Sequence, residues 1–145
     1  MKALCLTLFS LFILSAANAQ PHTLQDALQV AQKEHKLVLL RFSGSDWCIP
    51  CIRMEKELFN DAAFHNYADS SLVLLAADFP RLKKHKLPAD QQAENDRLAE
   101  RYNPQGEFPL LVLLDEKGTI LRRWEGYVAE KPNAFVGELA AQKGR

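Results

Sequence analysis

The sequence predicts an α/β domain built on a central four-stranded mixed sheet with helices on both faces. Three observations carry this. Four short apolar runs, at residues 38–42, 71–77, 108–114 and 119–124, have the length and composition of strands. Helical periodicity fills the intervals between the first three. Only the last two are close enough to be joined by a tight turn. Strand, helix, strand in the first half implies a right-handed crossover and a parallel pair, and the closing hairpin adds antiparallel strands.

At 145 residues the chain has room for one domain, and its 48% hydrophobic and 25% charged residues suit a globular protein with a real core. Lys plus Arg and Asp plus Glu are both 18, so no bulk charge points to nucleic acid or an anionic membrane. Residues 1–19 read as a secretory signal peptide: Lys2, then an apolar run over 3–14, then Ala17-Asn18-Ala19 as a cleavage site. The run is well short of the roughly 20 apolar residues a membrane span requires. Cleavage before Gln20 leaves a domain of residues 20–145 with no span. Cys5 departs with the leader, and it lacks the preceding small residues that mark a lipid-anchored cysteine. The two remaining cysteines, Cys48 and Cys51, then work where disulfides form.

In chain order, Thr23 caps a helix whose Leu24, Ala27, Leu28 and Ala31 recur at i, i+3, i+4 and i+7, to about residue 34. This precedes the first strand as an extra N-terminal helix. After the strand, Ser43-Gly44-Ser45-Asp46-Trp47 leads to a helix starting at Cys48 or Ile49, where Pro50 suits the first turn. It runs to about Phe59, with Cys51, Met54 and Leu58 on one inward stripe. Asn60 or Asp61 caps a short further helix carrying Ala62, Ala63, Phe64 and Tyr67. Beyond the second strand, Arg81, Lys83, Lys84, His85 and Lys86 form a basic run, read as a solvated loop or a dock for an acidic partner. A polar helix over 90–102 follows, with Ala93, Leu98 and Tyr102 as its apolar face, and Asn103-Pro104-Gln105-Gly106 ends it.

Pro109 stands at the entrance of the third strand, where a missing N–H is tolerated. Asp115-Glu116-Lys117-Gly118 makes the hairpin turn, with Gly118 in the left-handed position. Gly126 marks the next bend. Pro132 begins a closing helix with Phe135, Val136, Leu139 and Ala140.

The chemistry lies in Cys48-Ile49-Pro50-Cys51. A cysteine attacks a disulfide as its thiolate, and the unpaired N–H groups and positive dipole end of a helix N-terminus stabilise that anion. Cys48 is expected there as the exposed, attacking thiol. Cys51, one turn on and facing the core, is the buried thiol that resolves the mixed disulfide. A zinc half-site would need two further ligands, yet His22, His35, His65 and His85 offer no pair at i, i+3 or i, i+4, and no metal site is expected. A purely structural disulfide closing so short a loop would constrain the unfolded chain very little. Redox exchange is the favoured reading of the three.

A βαβ unit followed by ββα, with Trp47-Cys48-Ile49-Pro50-Cys51 at the first strand-to-helix turn, Phe108-Pro109 before the third strand and Gly126 after the fourth, resembles the thioredoxin superfamily. The likeness spans residue 38 to about 139, and the lead-in Ser43-Gly44-Ser45-Asp46-Trp47-Cys48 is similar to its secreted bacterial branch. It implies a cis Pro109 across from Cys48, leaving adjacent backbone free to pair with an extended substrate segment. Trp47, Pro109 and Gly126 would border a shallow groove around Cys48, supported by Ile49, Pro50 and Phe108. Two features depart from the family pattern. Arg41 stands where many thioredoxins carry a buried acid beneath the resolving cysteine, and residues 78–103 form a longer connection than the minimal fold needs.

The function so implied is a periplasmic thiol–disulfide oxidoreductase whose only redox group is the Cys48–Cys51 disulfide, with no other cofactor. Protein disulfides are its substrates, a membrane electron donor its partner, nucleic acid is not, and the chain works as a monomer. A histidine in the dipeptide accompanies strong oxidants in the superfamily. Ile49-Pro50 stabilises the thiolate less, which leans the resemblance towards a reductase or isomerase. Two other outcomes stay open: a binding module holding a soft metal such as Cu(I) or a protein partner without turnover, and a dedicated reductant of haem-attachment cysteines in cytochrome c maturation.

Overall fold

A computed structural model describes residues 20–143. The leader expected over residues 1–19, with Cys5, lies outside them. Among the described residues no helix is long and apolar enough to cross a membrane.

Four strands form one sheet in the order β2-β1-β3-β4: β1 (Leu37–Ser43), β2 (Leu72–Asp78), β3 (Leu110–Leu114) and β4 (Ile120–Glu125). β1 runs parallel to β2 and antiparallel to β3, and β3 and β4 make the hairpin, as expected. The two central strands are covered on both faces, which is why they read as unbroken apolar runs: Val38, Leu39, Leu40 and every residue of β3 are fully buried. β3 begins at Leu110, two residues later than expected, because Phe108 and Pro109 belong to the bend before it.

Strand alternation divides the interior into two layers. Val38, Leu40 and Phe42 of β1 face α1 (Leu24–Glu34), through its Ala27 and Ala31, and face Leu98 and Tyr102 of a later helix. Leu39 of β1, with Leu111 and Leu113 of β3, faces the opposite way. There it meets Met54 of α2 (Ile49–Met54), Phe64 and Ala68 of α3 (Ala62–Ser71), and two residues of the last helix. The helix contributing Leu98 and Tyr102 is α4 (Ala89–Tyr102); the last is α5 (Pro132–Ala140), whose Phe135 and Leu139 are fully buried. Burying each such side chain contributes roughly 1.5–3 kcal/mol.

Two helices differ from expectation. On α4 the expected apolar residue Ala93 is exposed, and Asn95 takes its place in the interior at 1% exposure. Its amide donates to the Asp78 carbonyl at 2.7 Å, so the inward face of α4 is registered by a hydrogen bond that hydropathy does not reveal. The helix expected to continue to Phe59 widens after Met54 into a π-helical turn, Glu55–Phe59, in which Asn60 N–H reaches the Glu55 carbonyl at 3.0 Å. The wider turn brings the consecutive residues Leu58 and Phe59 both inward.

Candidate active site around the Cys48–Cys51 pair

The site forms where β1 gives way to α2. The Gly44 carbonyl accepts the N–H groups of Trp47 at 3.2 Å and of Cys48 at 2.8 Å, winding the chain into the helix. Cys48 is the N-cap of α2, with extended backbone, and Pro50 sits in the first turn. The two sulfurs are bonded at 2.05 Å, their α-carbons 5.2 Å apart, and Cys51 N–H points at Cys48 Sγ at 3.3 Å.

The stripe Cys51, Met54, Leu58 is buried, as expected. The expected contrast in exposure between the sulfurs is not present: Cys48 is 4% exposed and Cys51 6%. The physical reason is the disulfide itself, which turns the Cys48 sulfur back over the helix start and onto the Cys51 amide. Ile49, 72% exposed, and Pro50 are the residues the turn presents to solvent.

Several of the predicted groove residues are linked to one another. Trp47 Nε1 donates to the Phe79 carbonyl at 2.7 Å, and its ring meets Phe108 edge-on with centroids 5.4 Å apart. The Phe108–Pro109 peptide is cis, and Gly126, at φ 78°, donates its N–H to the Pro109 carbonyl at 2.9 Å. The backbone N–H and carbonyl of Phe108 take no intramolecular partner among the described residues. Next to Gly126, Tyr127 donates its hydroxyl to Glu57, which also accepts Arg53 Nε at 2.9 Å. The Arg53 hydrogen bond, seconded by that of Tyr127, holds the Glu57 carboxyl below its ordinary range. The bend at Gly126 is thereby tied to the helix that carries Cys51.

Behind Cys51 lies a cavity of about 440 Å³ that sequence reasoning missed. Arg41 and Ser43 of β1 and Ala76 and Asp78 of β2 share one sheet face by alternation and stand opposite each other in register. Cys51, Ile52 and Glu55 close the cavity from the helix side, and the small side chains of Ser43 and Ala76 leave the space unfilled. Arg41 pairs with the Glu55 carboxylate and lies 4.5 Å over the Phe59 ring. Asp78 accepts from Ser45 N–H at 2.8 Å, Ser45 Oγ at 2.5 Å and Ser43 Oγ at 3.1 Å. The strand position that holds a cation therefore meets its acid from the facing helix. Glu55 follows Cys51 by one helical turn, a spacing the sequence displays; that Asp78 joins it depends on strand register.

A disulfide closed across the first turn of a helix on a mixed α/β sheet, with a cis proline leading into β3, is the arrangement of a thiol–disulfide oxidoreductase. Residues 24–143 match the family model described as the thioredoxin-like domain, and the chain belongs to that family. It is 36% identical over 126 residues to the disulfide bond reductase DsbH of Chlamydia pneumoniae, covering 87% of this chain and 74% of that protein. The thioredoxin-related protein DsbJ of the same organism is 27% identical over 93 residues, 64% of this chain but 26% of DsbJ. A solved structure of a DsbH oxidoreductase superposes with a TM-score of 0.75 at 32% identity, covering 100% of this chain and 96% of that one. The oxidised C-terminal domain of Neisseria meningitidis DsbD gives 0.54 at 25% identity, with 83% and 92% covered.

Proposed function

We propose that this oxidoreductase works in the periplasm as a reductase or isomerase of protein disulfides, with Cys48 attacking and Cys51 resolving, and that a membrane donor re-reduces it. The observation that carries the assignment of roles is the place of Cys48 at the N-cap of α2, with the Cys51 N–H aimed at its sulfur. In the dithiol form that amide and the helix dipole stabilise a Cys48 thiolate. The thiolate attacks one sulfur of a substrate disulfide, whose S–S bond breaks as the first substrate thiolate leaves. Cys51, deprotonated, then attacks Cys48 Sγ and expels the second substrate thiolate. Two electrons pass to the substrate, the two enzyme thiol protons balance its two new thiols, and the Cys48–Cys51 disulfide remains.

The direction is supported by the likeness to a disulfide bond reductase. The leader read in residues 1–19 supports the compartment. The unpaired backbone of Phe108 beside cis Pro109 supports pairing with an extended substrate segment across the groove. Insulin reduction by the pre-reduced protein tests the whole reading. Wild type accelerates it well above Cys48→Ser, and Cys51→Ser accumulates a mixed disulfide with insulin that dithiothreitol releases. A Cys48→Ser variant as fast as wild type, or mixed disulfides formed through Cys51 in that variant, would overturn the assignment.

A further inference from the structure

The basic run at residues 81–86 is not a free loop. The Asp46 side chain, 4% exposed, accepts the backbone N–H groups of Arg81 and Leu82, each at 2.9 Å, and pairs with His85 Nδ1 at 3.0 Å. Arg81 lays its guanidinium 3.7 Å over the Trp47 ring. The segment is therefore fastened to the two residues that precede Cys48, and its single 3₁₀ turn, Lys83–His85, turns His85 to Asp46 and leaves Lys83 and Lys84 exposed.

That fastening concentrates charge beside the disulfide. Arg81, Lys83, Lys84 and Lys86 fall within six residues, and no acid occurs between Asp78 and Asp90. Lys83, Lys84 and Lys86 are exposed and make no ion pair among the described residues. Because the whole chain is formally neutral, setting these four cations aside leaves the rest at minus four. The same place holds apolar anchors. Ile49 at 72% and Leu82 at 47% are two of the three large hydrophobic residues left exposed among the described residues.

We propose that the segment 81–86, with Ile49, is the docking surface for a protein partner that carries acidic residues beside its own exchanging disulfide. This rests on the redox reading of Cys48 and Cys51, and it names the partner chemistry that reading leaves open. Cations fastened beside the redox turn, with Leu82 among them and Ile49 next to Cys48, steer an anionic partner and orient it before sulfur meets sulfur. A flat anionic membrane would meet the net negative remainder of the molecule as well. A protein contact confined to the redox turn meets the cations alone.

Two disulfide-bonded peptides test this. Both share one cyclised Cys–Cys core, flanked by four Glu in one and four Gln in the other. At low ionic strength the reduced protein reduces the Glu peptide about tenfold more efficiently in kcat/KM than the Gln peptide. The ratio falls towards one at 0.5 M salt, on the order expected from screening. In Lys83→Gln/Lys84→Gln/Lys86→Gln the ratio is near one, and in the corresponding triple Glu variant it falls below one, while the Gln peptide is reduced at the wild-type rate by both. A wild-type ratio near one at low salt, or a ratio unchanged by salt and by the variants, overturns the proposal. Failure to reduce either peptide would instead overturn the redox reading on which it stands. Binding to phosphatidylglycerol vesicles that depends on the three lysines, without peptide preference, would assign the surface to lipid and also overturn it.

Discussion

The indole of Trp47 lies directly on Gly44: a β-carbon placed there would stand 2.2 Å from Trp47 Cε2 and 2.4 Å from Nε1. No side chain is compatible with that approach. The glycine thus sets the ring against Phe108 and beneath Arg81, and lets its N–H reach the Phe79 carbonyl. Gly44→Ala displaces the ring and breaks that bond, costing about 1–3 kcal/mol, the usual range for overpacking. Urea denaturation measures the loss, and in a Trp124→Phe background the emission of Trp47 reports its exposure. Unchanged stability and unchanged emission would refute the account.

The Arg41–Glu55 ion pair and Cys51 line one cavity, so the two charges act on the resolving thiol in opposite senses. Glu55→Gln leaves the Arg41 cation there without its acid, which favours a Cys51 thiolate; Arg41→Met leaves the carboxylate without its cation, which opposes one. Cys51 resolves the mixed disulfide as an anion. Release of the second substrate thiol from a preformed mixed disulfide, followed by stopped flow, is therefore faster in Glu55→Gln and slower in Arg41→Met, by about two- to tenfold each. Changes of the same sign would exclude this role for the pair.

Asn95 joins α4 to the end of β2, where its amide serves the Asp78 carbonyl and its own Oδ1 accepts from Gln91 at 2.9 Å. Asn95→Leu preserves size but strands a carbonyl in the interior. Leaving such a group unsatisfied costs about 1–3 kcal/mol. Thermal unfolding reads the cost directly, and a variant as stable as wild type would show that water satisfies the carbonyl.

Acid weakens the anchor of the basic segment. The backbone N–H of Arg81, with that of Leu82 and the His85 imidazole, holds the Asp46 carboxyl below its ordinary range against the opposing effect of desolvation. Because the folded pKa is depressed, the stabilisation is complete above the unfolded value, near pH 4, and is lost as pH falls through the lower folded value. Asp46→Asn therefore flattens the acid limb of the stability–pH curve, with little change in its slope above about pH 5. An acid limb identical to that of wild type would remove Asp46 from the account.

Several elements were legible because their causes are local in sequence. Thr23, Asp61 and Pro132 mark helix starts by residue type, and Gly118 and Gly126 take the positive φ that their turns require. The unbroken apolar runs of β1 and β3 announce strands covered on both sides. The cysteine pair declares its chemistry through a spacing of one helical turn, and Cys51, Met54 and Leu58 share a face by periodicity alone. Pro109 required the resemblance, since nothing in its immediate neighbours selects the cis peptide.

What the sequence determined by itself is the order of the elements, the outline of both cores and the identity of the reacting sulfurs, because these follow from period, propensity and capping within a few residues. Only the tertiary structure decided which distant groups meet. It brought Arg41 to Glu55 and Asp78 to the serines behind Cys51, fastened residues 81–86 to Asp46, and chose Asn95 over Ala93 for the interior of α4. Each of these joins segments brought together by strand register and sheet packing, where the strength of a polar contact depends on geometry and burial that no single stretch of chain contains.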